Sequence, residues 1–252
     1  MKASELRLDE LFTFEEGRIT LQGRRLVLHS MDAFAQYRHD LMDMLGSEQT
    51  RRVLTRYAFF SGQADAAAVR RIYPSISLTE WLRAGPRFHS FLGVTRAVVR
   101  SLELPRNGSS LLMKLTWHDS AEAEEHLLQL GAASEPVCWM LTGYASGYAT
   151  YCYERPVFFI ETKCRAAGSR VCSAEGRDEA SWGSQLDAHR AFFEADDIKE
   201  RIRHLASQLR KRSRELAQHR RRLEALTSTR SGSYLQIGSE SFRRVQIGRA
   251  HV

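Results

Sequence analysis

The chain has 252 residues, 43% of them hydrophobic, and a formal net charge of +7, enough apolar material for one large or two modest domains with a real core. No apolar run approaches the roughly 20 residues of a membrane span, and the opening MKASELRLDELF is too charged for a secretory signal, so a cytoplasmic protein is expected. Lys199 to Arg230 holds eleven Lys or Arg against three Glu, a net of +8 that leaves the rest near −1, so the basicity is no argument for nucleic-acid binding by the globular part.

Gly17–Ser30, GRITLQGRRLVLHS, alternates apolar and polar residues on both sides of Gln22-Gly23, which predicts a hairpin. From Met31 to about Tyr73 the apolar residues fall at helical spacing: Phe34, Tyr37, Leu41, Met44 and Leu45, then Val53, Leu54, Tyr57 and Phe60. Gly46-Ser47 separates two helices, with Ser47 as the expected N-cap, and Pro74 closes the unit. SISLTEWLRAGPRFHSFLG reads as a short helix and a loop. Two strand-like runs follow, TRAVVRSLEL and SSLLMKLTW, joined by a turn at PRNGS. DSAEAEEHLLQLG is a predicted helix capped by Asp119 or Ser120 and ended by Gly131. VCWMLTGYASGYATYCYE is another, whose Gly143 and Gly147 allow close backbone packing against a neighbour. PVFFIETKC and SRVCSAEGR then read as a strand pair. Without strict βαβ alternation or an internal repeat, the order implies an α+β fold.

From Asp197 the character changes. Asp197 and Glu200 form a capping-box-like start, and Ile198, Ile202, Leu205, Leu209, Leu216, Leu223 and Leu226 fall on an alternating 4–3 spacing. Arg212 and His219 occupy the two missing seam positions. Roughly four heptads of this kind predict a basic coiled coil. A solvated amphipathic helix and nonspecific DNA contact are the competing readings. TSTRSGSY reads as a linker.

The four cysteines are too few for a disulfide framework in a chain of this length. Two residues separate Glu161 from Cys164, Cys172 follows after seven more, and Cys138 stands at a helix start upstream. Thiolates and a carboxylate suit zinc, which takes four ligands tetrahedrally when structural. The spacing is not one of the standard zinc patterns, so Cys138 as a small buried hydrophobe stays open at this level. Cys152 lies mid-helix and reads as inert.

The string EPVCWMLTGYASGYATYCYERPVFFIETKCRAAGSRVC, followed by SWGS, resembles the 4-vinyl reductase-type domain. More specifically, it looks like the form found in the aromatic-responsive, sigma-54-dependent activators of the NtrC superfamily, the phenol, toluene and xylene sensors. GRITLQGRRLVLHS, LTRYAFFSGQADA, LRAGPRFHSFLG and LTWHDSAEAE extend the resemblance over about residues 15–195. It implies a structural zinc held by Cys138, Glu161, Cys164 and Cys172. It also implies a phenolic effector gripped by His89 and Trp117, with Leu82, Phe91, Leu115, Tyr148 and Phe159 as apolar walls. An imidazole and an indole N–H can together satisfy a buried phenolic hydroxyl. Leu82 stands where phenol sensors often have phenylalanine, which leaves more room for ring substituents.

The organisation expected on this basis is a dimerisation and aromatic-sensing region at 1–118, a zinc-bearing subdomain at 119–195, a coiled-coil linker at 196–228 and a tail at 229–252. The tail resembles the start of an AAA+ ATPase domain, and IGRAHV at 247–252 reads as a translated sequencing adapter, implying a truncated gene. No GxxxxGK[ST] phosphate loop occurs. The implied protein is a dimeric sensor, not an enzyme, acting on an ATPase, sigma-54 polymerase and DNA through parts not in this sequence. The rival readings are a reductase of tetrapyrrole metabolism and a zinc-thiol redox sensor in which Cys152 pairs with a ligand cysteine.

Overall fold

The computed structural model describes residues 1–7, 11–21, 23–104, 110–194, 207 and 210–222. They belong to two units, Met1–Ala195 and Asp196–Val252. In the second unit residues 210–222 are helical and exposed, Leu216 among them. The seam positions Ile198, Ile202, Leu205, Leu209, Leu223 and Leu226 lie outside the described residues, as do PRNGS at 105–109 and the tail.

The first unit begins with a meander. Strands β1 (Phe12–Glu15), β2 (Arg18–Leu21) and β3 (Arg24–Leu26) pair antiparallel in the order β1-β2-β3. The expected hairpin is β2–β3, with Gly23 at φ 79°; β1 extends it through a second turn at Gly17, φ 71°. Helices α1 (Met31–Leu45) and α2 (Ser47–Ile72) follow. Gly46, at φ 77°, is the N-cap of α2, and Ser47 is its first helical residue. A backbone shape that only glycine takes without strain therefore sets the break, and no hydroxyl caps it.

Helix α2 buries Thr50, Leu54, Thr55, Ala58, Gly62, Asp65, Ala66, Ala68 and Val69, a face of mostly small residues, while Val53, Tyr57 and Phe60 stay exposed. Helix α3 (Leu78–Phe91) is continuous, with Pro86 inside it. The sequence reading expected a short helix and a loop over this stretch. An interior proline costs a helix about 3 kcal/mol, but Trp81, Leu82, Ala84, Gly85, Pro86, Phe88 and His89 are all buried, and that packing holds the helix through the break.

Strands β4 (Arg96–Glu103), β5 (Leu112–His118), β6 (Val157–Lys163) and β7 (Cys172–Asp178) make one antiparallel sheet in the order β4-β5-β7-β6. It carries strands from both sides of residue 118. Between them run α4 (Ala121–Leu130), capped by the Ser120 hydroxyl, and α5 (Trp139–Tyr153). Short helical turns α6 (Glu179–Trp182) and α7 (Asp187–Arg190) close the unit. No described helix is long and apolar enough to cross a membrane.

Helix α5 is buried almost all round, and its glycines meet α2 backbone to backbone. A Cβ on Gly143 would lie 2.2 Å from the Thr55 carbonyl oxygen, one on Gly147 1.9 Å from that of Phe59, and one on Gly62 2.2 Å from that of Tyr144. On its other side α5 faces the sheet. The Ser146 hydroxyl accepts the Phe159 N–H at 2.8 Å, and the Thr150 hydroxyl accepts that of Val157 at 3.0 Å. Edge strand β6 is thereby tied to the central helix.

Candidate functional site

The registers decide what meets what. Trp117 pairs with Cys172, Leu115 with Ala174, Met113 with Gly176, Phe159 with Gly176 and Glu161 with Ala174. Partners directly opposite share a face, as do residues two apart along a strand. One face of the sheet thus carries Met113, Leu115 and Trp117 on β5, Cys172, Ala174 and Gly176 on β7, and Phe159 and Glu161 on β6. Cysteine and glutamate stand at one end of this face, and apolar residues in its middle.

At that end, Cys138, Glu161, Cys164 and Cys172 converge, all four buried, with their ligand atoms within 4.8 Å of one another. The Cys138 sulfur is 3.9 Å from that of Cys164 and 3.6 Å from that of Cys172. Two thiolates on one tetrahedral zinc, each at about 2.3 Å, lie about 3.8 Å apart. A disulfide would need about 2.05 Å. One oxygen of Glu161 accepts the Cys138 N–H at 3.0 Å, and the other is buried with no partner among the described residues.

Four acidic groups crowded out of water cannot all ionise without a cation. Burial and the neighbouring Cys164 push the Glu161 carboxyl up to about 9, and burial pushes the Cys138 thiol well up. Hydrogen bonds with the Cys138 and Cys172 thiols pull the Cys164 thiol down, against its burial. The orphaned carboxylate oxygen and the sulfur spacing fit a divalent ion taking the place of the shared protons.

The cluster has a charged brace that the sequence reading did not find. Glu122, on α4, accepts the N–H groups of Met140 at 3.0 Å and Leu141 at 2.9 Å, which are orphan donors of the first turn of α5. Arg38, on α1, pairs with Glu122 at 3.3 Å, donates to the Val137 carbonyl at 2.9 Å and lies 4.3 Å over the Trp139 ring. Burial pushes the Glu122 carboxyl up, and Arg38 opposes that.

In the middle of the sheet face lies a cavity lined by Leu82, Gly85, Pro86 and His89 of α3, Met113 and Leu115 of β5, Tyr144, Ala145, Tyr148 and Ala149 of α5, and Phe159 of β6. Its open core, about 10 Å³, is the room of about one water. Five of the seven residues expected around a ligand line it: Leu82, His89, Leu115, Tyr148 and Phe159. Trp117 is not in the lining. It stands two residues beyond Leu115 on the same face, fully buried, and its indole N–H has no partner among the described residues. Phe91, partly buried at the end of α3, packs against Phe88 at 6.2 Å, with the Arg87 guanidinium 5.1 Å over its ring.

Burial pushes the His89 imidazole down to about 3, which keeps it neutral. Its ring lies 3.9 Å from that of Tyr144. The Tyr144 hydroxyl donates to Asp65 at 2.9 Å, and Asp65 also accepts Arg24 at 2.8 Å. Gly176 makes room for the Phe159 ring: a Cβ there would sit 2.3 Å from it. Tyr144 and Met113 were missed, although each announces itself by period, four before Tyr148 on a helix and two before Leu115 on a strand.

Against known proteins, residues 6–105 match the family described as activator of aromatic catabolism, and residues 117–177 match the 4-vinyl reductase-type domain. This chain joins an activator-of-aromatic-catabolism domain to a 4-vinyl reductase-type domain. Both matched segments fall largely within the stretch over which the sequence resembles the aromatic-responsive activators. The phenol regulator MopR of Acinetobacter guillouiae is 31% identical over 203 residues, 80% of this chain and 36% of its own. The transcriptional regulatory protein XylR of Pseudomonas putida is 27% identical over 235 residues, 93% of this chain and 39% of its own. The chain thus spans little more than a third of the length of these relatives. The crystal structure of the phenol-responsive sensory domain of the activator PoxR, with phenol, superposes with a TM-score of 0.71 at 29% identity, covering 75% of this chain and 94% of that one. All four cysteine and glutamate donors lie in the second matched segment, and the cavity draws its walls from both domains.

Proposed function

We propose that this chain is the effector-sensing region of a transcriptional activator, and that a phenol bound in the α3–α5–sheet cavity relieves repression of a downstream ATPase. One observation carries the reading: a buried cavity lined by a neutral imidazole, His89, with the unpaired indole N–H of Trp117 on the same sheet face. A phenolic hydroxyl both donates and accepts, so it satisfies His89 as acceptor and Trp117 as donor at once. The relatives support the choice of ligand, one being a phenol regulator by name and another a sensory domain with phenol bound. A ring is larger than the space now open, so the walls must part to admit it. Leu82, Met113, Leu115 and Phe159 are side chains that can turn aside, whereas α5 is held against α2 by its backbone.

Cys138, Glu161, Cys164 and Cys172 would hold one zinc. Bound there, it supplies a structural crosslink, since four protein donors leave no open position for a substrate. That favours a sensor over a reductase. The quartet ties the start of α5 to β6, β7 and the turn after β6, and so fixes the helix that carries Tyr144 and Tyr148.

The regulator works as a homodimer in this proposal, supported by exposed Tyr37, Met44 and Leu45 on α1 and Val53, Tyr57 and Phe60 on α2. A sedimentation mass of one chain at all concentrations would remove that part. The ATPase, sigma-54 polymerase and DNA complete the scheme in the parts of the relatives that this chain does not span. The effector acts only if it prefers one arrangement of sensor and linker over the other.

Calorimetry on the folded, zinc-loaded chain tests the ligand. Phenol should bind saturably, toluene at least about 100-fold more weakly because it leaves both polar groups unpaired, and His89→Ala should lose the preference. A chain that is folded and does not bind phenol is not this sensor.

A further inference from the structure

We propose that the Tyr148 hydroxyl is a second polar anchor of the cavity and selects phenols carrying a second hydrogen-bonding ring substituent, dihydroxybenzenes foremost. This rests on the sensor reading and names the ligand class within it. Two tyrosines of α5 line the cavity one turn apart, their rings stacked 6.1 Å from centre to centre. Their hydroxyls differ. That of Tyr144 is engaged by Asp65 at 2.9 Å. That of Tyr148 is fully buried and has no hydrogen-bond partner among the described residues.

A buried hydroxyl without a partner costs free energy that a phenylalanine in the same place would not. The ring also has no freedom to carry its hydroxyl elsewhere. It lies against the backbone of α3 at Gly85, where a Cβ would come within 2.7 Å of the Tyr148 ring. Burial holds the group protonated, so it can both donate and accept.

A simple phenol uses its one hydroxyl on His89 and Trp117 and leaves that of Tyr148 unpaired. A ring with a second hydroxyl at the matching position pairs it. The same group then discriminates, because a site built to pair a hydroxyl disfavours the analogue that lacks it.

The test is a calorimetric comparison under nitrogen of catechol, resorcinol and hydroquinone with o-, m- and p-cresol, where a methyl group replaces the second hydroxyl at similar volume. In the wild type one of the three pairs should favour the dihydroxybenzene about tenfold, equivalent to about 1.4 kcal/mol. In Tyr148→Phe that ratio should fall to about one. The favoured isomer reports where the anchor stands on the ring. Equal ratios in wild type and variant overturn the proposal, as do wild-type ratios of one or less for all three pairs, a result that needs no variant to fold. Phenol binding with unaltered ratios removes this inference alone, whereas absence of phenol binding removes the sensor reading as well.

Discussion

Gly147→Ala sets two known effects against each other. Glycine inside a helix is about 1 kcal/mol worse than alanine, so propensity alone predicts a more stable protein. The added methyl, however, would sit 1.9 Å from the Phe59 carbonyl oxygen, where real Cβ contacts are not found below 3.0 Å. α2 and α5 would have to part by more than about 1 Å at a point where both surfaces are backbone, so no rotamer change relieves it. Overpacking of this kind costs about 3 kcal/mol or more at the severe end of its range. The net loss is therefore about 2 kcal/mol or more, a fall of about 4–8 °C in melting temperature for a unit of 195 residues. Thermal unfolding followed by circular dichroism, at fixed chain and zinc concentration, measures it. A melting temperature equal to or above the wild type would mean that the helices are not in backbone contact, and the packing described for α5 would be wrong.

Two further outcomes follow from the buried groups. Metal analysis should find one zinc per chain, and a strong chelator should unfold the Met1–Ala195 unit, with the effect greater at lower pH because protons compete for the thiolates; a folded, zinc-free chain overturns this. His89 titrates near 6.5 when unfolded and about 3 when folded. Below 6.5 the unfolded chain gains a proton the folded one refuses, so stability is lost as pH falls from 6.5 toward 3. At pH 5 the loss is about 2 kcal/mol, and His89→Gln should escape it; denaturant midpoints of the two proteins that stay parallel between pH 7.5 and 5 would refute the buried, neutral imidazole.

Much of the molecule was legible because its signals are local. Gly131 ending α4, the alternation of β5 to β7 and the glycines of α5 each declare themselves within a few residues. The cavity was half legible. His89, Leu115 and Phe159 came with the family resemblance, whereas Tyr144 and Met113 needed only the helix and strand periods to be carried one step further. The helix-and-loop reading of SISLTEWLRAGPRFHSFLG fell short, since a proline such as Pro86 argues locally for a helix end and only the burial of both its flanks outweighs it. Arg38 and Glu122 are 84 residues apart, and no local pattern in either segment foretells their pairing. The aromatic residues of α2 fell at helical spacing, yet its interior face is made largely of threonine, alanine and glycine. That choice follows from how closely α5 approaches, which is a property of the packed pair.

The contact between α2 and α5 also limits how the cavity can change. Where main chain rests on main chain, substitution cannot widen or narrow the gap by small steps, because any added carbon forces the helices apart. That side behaves as a fixed jaw. The opposite jaw, built from α3 and the strands, also presents Leu82, Met113, Leu115 and Phe159 to the cavity, side chains whose size can be exchanged one at a time. Descendants of this protein that answer to other rings, whether bred by selection or by hand, should therefore differ at Leu82, Met113, Leu115 and Phe159 and keep Gly62, Gly143 and Gly147.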